Sequence, residues 1–238
     1  MARILQVTTC PDFKCDGADE YLWLQGHEEI QEQARSVGCE IDYFLAAELG
    51  YGKAAKGSGI LSLIDKVKSL GGGVWEYTLT VEGEAEITAK SRLIHIITGR
   101  NLGNCFATVN DYDYIWSTDT DIIQPHDAIP RMMEIMPHSV VGLNVPSYCL
   151  DGPKVEKFSD WDVRAHYTTA GCMLIERRIF ERIYWRQDKT LDLSDDPSYA
   201  FDVRERFGEE MWVRHDVTAT HEPLTGIEKR HTLEQRTV

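Results

Sequence analysis

Two aspartates one residue apart, Asp119 and Asp121, are the residues best spaced to do chemistry. They lie in the run Asp111-Tyr-Asp-Tyr-Ile-Trp-Ser-Thr-Asp-Thr-Asp-Ile-Ile-Gln-Pro125. An apolar segment with the pattern of a buried strand precedes them, so they fall at its carboxyl tip. In open α/β sheets, ligands bind beyond the carboxyl ends of the strands. Two carboxylates so spaced can flank one hard divalent cation. Alternatively, one grips the cation and the other takes a sugar or ribose hydroxyl. Mg²⁺ and Mn²⁺ prefer oxygen ligands, and a bound diphosphate supplies more of them. A bare Asp-x-Asp is more often a solvated turn. The strand before it, and the Ile-Ile-x-Pro and helix after it, favour the cation.

The elements that must position this pair are legible from periodicity. Arg3 to Thr9 reads as a buried strand, Ala18 to Val37 as a helix stopped by Gly38, and Cys39 to Leu45 as a second strand. That opening predicts an α/β layer architecture with parallel strands. Further helices are expected over Ile60–Leu70, Thr88–Asn110, His126–Met136, Arg177–Tyr184 and Tyr199–Phe207. Gly99 and Gly103 are weak points inside the second of these. Strands are expected over Val74–Val81, Tyr112–Ser117, Ser139–Pro146, Thr168–Ile175 and Trp212–Thr220, with Leu150–His166 a loop over the site. No repeat or linker interrupts the chain, so one continuous domain is expected.

The 238 residues carry 25 Lys and Arg against 39 Asp and Glu, a formal charge of −14. That balance disfavours a broad basic face for nucleic acid, although Arg177, Arg178 and Arg182 form a local basic patch. The longest apolar runs fall far short of the roughly 20 residues a membrane span needs. No export signal is visible, so the expected location is cytoplasmic, in a bacterium or a phage-infected cell. The six cysteines are scattered with no CxxC pair, which predicts reduced thiols and no zinc set. Lys53 and Lys56 lie in a glycine-rich segment that lacks the P-loop pattern.

The acidic segment resembles the centre of a GT-A-fold glycosyltransferase of the family 2 type. Three further segments resemble that family in the same order. They are Gly99-Arg100-Asn101-Leu-Gly-Asn104-x-x-Ala107, then Thr169-Ala170-Gly171-Cys-Met-Leu-Ile-Glu-Arg177-Arg178-x-Phe180, then Asp195-Asp196-x-x-x-Ala200-Phe201-x-x-Arg204-x-x-x-Gly208. His221, after the last strand, resembles a further metal ligand of several GT-A enzymes. The matches cover roughly residues 90 to 221. Two departures stand out: the acidic pair is Asp-Asp rather than Glu-Asp, and Pro197 follows it directly. No Gln-x-x-Arg-Trp motif appears, which argues against a processive synthase.

The resemblance implies a GT-A fold: Rossmann-like, with a mostly parallel central sheet flanked by helices, in a single domain. Residues 1–121 are the implied nucleotide-sugar-binding part, and 122–238 the acceptor-binding part and tail. The implied reaction moves a sugar from a nucleoside-diphosphate sugar, UDP-linked by preference, to a hydroxyl acceptor. Glycans and small molecules are the acceptors favoured over a modified DNA base. Mn²⁺ or Mg²⁺ is held by Asp119, Asp121 and His221, with Asp119 also a candidate for a ribose or sugar hydroxyl. Asp196, or else Asp195, is the base of an inverting reaction, although either also fits helix capping. Nucleotide contacts are expected from Thr8, Thr9 and Pro11 at the first strand's tip, from Asp42 on the second strand, and from Arg100 and Asn101. Trp185 is a candidate sugar platform, or else core. Two other readings compete: a nucleotidyltransferase on a related fold, and a non-catalytic nucleotide-sugar or glycan binder.

Overall fold

A computed structural model describes residues 1–10, 27–49, 58–79, 89–120, 122–136, 138–144, 155–157, 163–165, 168–190 and 195–221. Pro11, Lys53, Lys56 and Asp121 therefore lie outside the described residues. The first half comprises β1 (Ala2–Cys10), α1 (His27–Ser36), β2 (Cys39–Glu48), α2 (Ser58–Ser69), β3 (Gly73–Tyr77), α3 (Ala89–Val109) and β4 (Tyr114–Asp119). After it come β5 (Ile122–Ile123), α4 (Ala128–Met133), β6 (Val140–Asn144), β7 (Val155–Lys157), β8 (Val163–Ala165) and β9 (Cys172–Glu176). The rest is α5 (Arg177–Phe180), α6 (Asp195–Phe207), β10 (Met211–Thr218) and β11 (Thr220–His221).

One nine-stranded sheet runs in the order β3-β2-β1-β4-β9-β6-β10-β8-β7. Strands β3, β2, β1 and β4 are mutually parallel. Strand β9 reverses direction between β4 and β6, while β6 and β10 are parallel again. The expected single α/β domain, with a mostly parallel sheet flanked by helices, is what the chain forms. Ile4, Leu5 and Val7 are buried together on β1, as befits a central strand covered on both faces. Side chains alternate across the sheet. Leu5, Val7, Phe44 and Ile115 join the core on the α3 and α6 side, and Ile4, Ile41 and Trp116 the core on the α1 and α4 side.

Some boundaries differ from expectation. Gly38 stops α1 with a positive φ of 73°, as read. The segment expected as a loop over 150–166 contains β7 and β8, which pair antiparallel and extend the sheet edge. Three-residue strands are too short to show alternation. Helix α6 begins at Asp195 rather than after Pro197. Proline is accepted there because first-turn N–H groups have no partner within the helix. The expectation of reduced thiols fails at one position: Cys10 is disulfide-bonded, its partner outside the described residues, while Cys39, Cys105 and Cys172 are free. A disulfide needs Cα atoms within about 7 Å, which scattered sequence positions do not reveal. No helix among the described residues is long and apolar enough to cross a membrane.

Candidate functional site

The site is built around the close approach of α3 to β1. A Cβ added at Gly103 would lie 2.3 Å from Val7 Cγ1, and one at Gly99 would lie 2.9 Å from Thr9 Cγ2. The two glycines are thus the seam on which the helix rests, not weak points in it. That seating turns Arg100 toward the carboxyl tips of β1 and β4. Thr9 and Asp119 are register partners and face the same side of the sheet. Thr8 faces the other side, where its hydroxyl shares a 2.7 Å hydrogen bond with Thr118.

Arg100 is 5% exposed and gathers the acidic residues. Its Nη2 donates to Asp119 Oδ1 at 3.3 Å, and its Nη1 to Asp196 Oδ1 at 3.2 Å and to Asp195 Oδ2. The guanidinium lies 4.9 Å from the centre of the Trp185 ring. Asp195 and Asp196 open α6, where carboxylates also oppose the positive end of the helix dipole. Residues 119 and 195 are thus brought together with 196 at the junction of the two halves of the sheet. The cluster sets three carboxylates against one guanidinium. Burial first, and then Asp195, push the Asp196 carboxyl up to about 7; Arg100 pulls it down, Asp119 pushes it up, and a backbone hydrogen bond involving Ala170 pulls it down. Mutual attraction to the carboxylates holds the Arg100 guanidinium charged despite burial.

Several expected nucleotide contacts are employed elsewhere. Asn101 brackets the backbone of residue 185: its Nδ2 donates to Trp185 O at 2.9 Å, and Trp185 N donates to its Oδ1 at 2.8 Å. Asp42 accepts from Tyr112 Oη at 2.8 Å and from Arg3 Nη2 at 3.2 Å. It stands beside Leu5, four residues before the level of Thr9 and so about 13 Å short of the strand tips. The parallel register makes Glu48 the acid at the carboxyl end of β2. Its Oε1 lies 2.5 Å from His95 Nδ1 of α3, and both side chains are fully buried. Trp185 is no open platform: it is 3% exposed and its ring stacks on Tyr199 at 4.0 Å.

No motif flagged the strap that follows Trp185. Arg186 makes a two-pronged contact with Asp202 on α6, at 2.7 and 3.0 Å, and Ser198 Oγ accepts from Asp188 N at 3.0 Å. Asn104 Nδ2 donates to Ile183 O at 3.1 Å. Residues 183–188 therefore tie α3 to α6. The only sequence signal is the Asn101-x-x-Asn104 spacing, which puts two amides on one helix face. The basic patch is neutralised in part: Arg177 pairs with Asp111 at 2.7 Å and Glu181 at 2.6 Å, and Arg178 with Glu176 at 2.8 Å and with Glu209.

Among the described residues no group of three metal-ligating side chains is gathered. Donor chemistry still fits a hard cation at the β4 tip. Asp119 supplies carboxylate oxygens, and the backbone of Gly171 approaches it so closely that a Cβ there would stand 3.2 Å from Asp119 Oδ2. Strands β5 and β11 form a two-stranded ladder that sets His221 in register with Ile122, the residue after Asp121.

Four parallel strands with an acidic tip, a reversed β9 and a second half completing the sheet define an α/β fold of the GT-A and nucleotidyltransferase type. No protein-family model and no curated protein matches the sequence. Among solved structures, GalNAc-T7 with UDP, GalNAc and Mn²⁺ aligns at 10% identity and TM-score 0.59, covering 94% of this chain and 44% of that one. This chain thus spans less than half the length of that neighbour. A glucose-1-phosphate thymidylyltransferase from Bacillus anthracis in complex with sucrose aligns at 12% identity and TM-score 0.50, covering 100% of this chain and 96% of that one. A197 from STIV aligns at 15% identity and TM-score 0.46, covering 76% and 85%. At these identities the likeness is one of fold, and it singles out no glycosyltransferase family.

Proposed function

We propose that the chain is a metal-dependent glycosyltransferase that moves a sugar from a nucleoside-diphosphate sugar to a hydroxyl acceptor. The observation that supports this reading is the meeting, on Arg100, of Asp119 from the β4 tip with Asp195 and Asp196 from the start of α6. The β5–β11 register of His221 with Ile122 is consistent with it. Residues 1–121 hold the donor and 122–238 the acceptor. Asp119, Asp121 and His221 hold the cation, Mn²⁺ or Mg²⁺. Bound there, it stabilises the charge that develops on the leaving diphosphate. Thr9, at the β1 tip, lines the donor side.

Asp196 takes the proton of the acceptor hydroxyl. Its raised proton affinity, near 7, suits a base working at neutral pH. Asp195 stays paired with Arg100 beside it. The acceptor is a glycan or small molecule.

The full-length alignment with the thymidylyltransferase favours one second reading, a nucleotidyltransferase. Incubation with a panel of nucleotide sugars, with and without Mn²⁺, separates the two. Release of nucleoside diphosphate that depends on the cation is expected. Pyrophosphate release from a nucleoside triphosphate and a sugar phosphate points to the second reading, and neither product to a binding protein.

A further inference from the structure

We propose that Arg100 is a shared counter-ion coupling cation binding at the β4 tip to the acidic pair at the start of α6, and not a contact for the nucleotide. This rests on the reading of Asp119 as part of a cation site. The guanidinium reaches both sides: Nη2 donates to Asp119 at 3.3 Å, and Nη1 to Asp195 and, at 3.2 Å, to Asp196. Its place is set by packing on every side. Gly99 and Gly103 seat α3 on β1, and Trp185 lies beneath the guanidinium with its own backbone bracketed by Asn101. At 5% exposure, the rigid fork cannot turn to an outside phosphate without leaving carboxylates that are themselves only 11 to 21% exposed. Leaving such charges unpaired is strongly unfavourable.

A cation at Asp119 competes with Arg100 for the same carboxylate. How strongly Arg100 competes depends on how much of its charge Asp195 and Asp196 already engage. Neutralising Asp195 shifts the guanidinium's attraction onto Asp119 and makes it the stronger competitor. Linkage makes the effect reciprocal: a cation on Asp119 hands Arg100 over to the acidic pair. The two sides of the site, contributed by opposite halves of the chain, thus sense one another through a single side chain.

The test is a double-mutant cycle read by Mn²⁺ affinity alone, in titration calorimetry of the full chain. The four proteins are the wild type, Asp195→Asn, Arg100→Met and the double variant. Each substitution also changes the local field directly, and the cycle cancels that part. Asp195→Asn is expected to weaken Mn²⁺ binding by a factor about fivefold larger in the wild-type background than in the Arg100→Met background. Equal factors in the two backgrounds overturn the shared counter-ion and leave the cation site standing. A wild type that binds no Mn²⁺ overturns both. Should Arg100→Met fail to fold, Arg100→Gln replaces it, keeping hydrogen-bond donors but not the charge. Equal factors in that background overturn the proposal in the same way.

Discussion

Asp196 is the residue on which most of the proposed chemistry turns. If it is the base, Asp196→Asn lowers turnover by a factor on the order of 10² or more, far more than it weakens donor affinity. Calorimetry with UDP and Mn²⁺ beside steady-state rates checks both halves; a wild-type rate moves the base to Asp195. The same substitution has a stability consequence in the protein without donor. The Asp196 carboxyl moves from an ordinary 3.8 up to about 7 on folding. Its protonated form is therefore the one the fold favours, with the contribution fully present below pH 3.8 and lost as pH rises through 7. Asp196→Asn should accordingly raise Tm at pH 8 and leave it nearly unchanged at pH 4. A Tm difference of equal size at both pH values sinks the assignment. The positions of Asp119, Asp195 and Asp196 in motifs made them visible in the sequence. Their common partner was not visible as such, because Arg100 stands 19 residues before one and 95 before another.

Among the elements, α3 and α6 do most to shape the site. Helix α3 depends on bare glycine surfaces against β1. Gly103→Val puts a branched side chain where a Cβ alone would meet Val7 at 2.3 Å. Overpacking of this kind costs about 1–3 kcal/mol, and the helix must lift, carrying Arg100 away from Asp119. A lowered denaturation midpoint together with tighter Mn²⁺ binding, Arg100 no longer competing for Asp119, is the expected pair of results; a wild-type midpoint contradicts the seam. Helix α6 makes the opposite point. Pro197 sits in its first turn, where no N–H is missed. Pro197→Ala should lower stability by no more than about 1 kcal/mol, through the looser unfolded chain. A marked gain would mean that proline strains the helix. Both lessons concern context: glycine inside a helix and proline after an acid pair look like defects until the neighbouring strand and the helix start are known.

Across the whole molecule, the two halves of the chain share one core. Strand β4 is sandwiched between β1 and β9, and the core beside α3 draws Leu5, Val7 and Phe44 together with Met173, Ile175, Tyr199 and Val203. A fragment of residues 1–121 loses β9 and more than half of that core. It should therefore show no cooperative thermal transition by circular dichroism, whereas the full chain shows one. Two transitions in the full chain, or a folded fragment, contradict this. The formal charge of −14 also acquires local meaning. Asp111, Glu176, Glu181 and Glu209 pair with Arg177 and Arg178, so two of the three arginines of the local basic patch are engaged with carboxylates.

The sequence by itself determined the α/β class, the order of the main strands and helices, and the placement of Asp119 at the end of β4. Periodicity and local residue chemistry act over a few residues, and those features are written at that range. Only the tertiary structure decided that Arg100 joins the carboxylates, that Asn101 braces Trp185, and that Glu48 rather than Asp42 is the acid at the β2 tip. It alone showed the β5–β11 ladder that sets His221 in register with Ile122. These depend on strand register and on how closely one helix can approach a sheet, and both are set by contacts between residues tens to hundreds of positions apart.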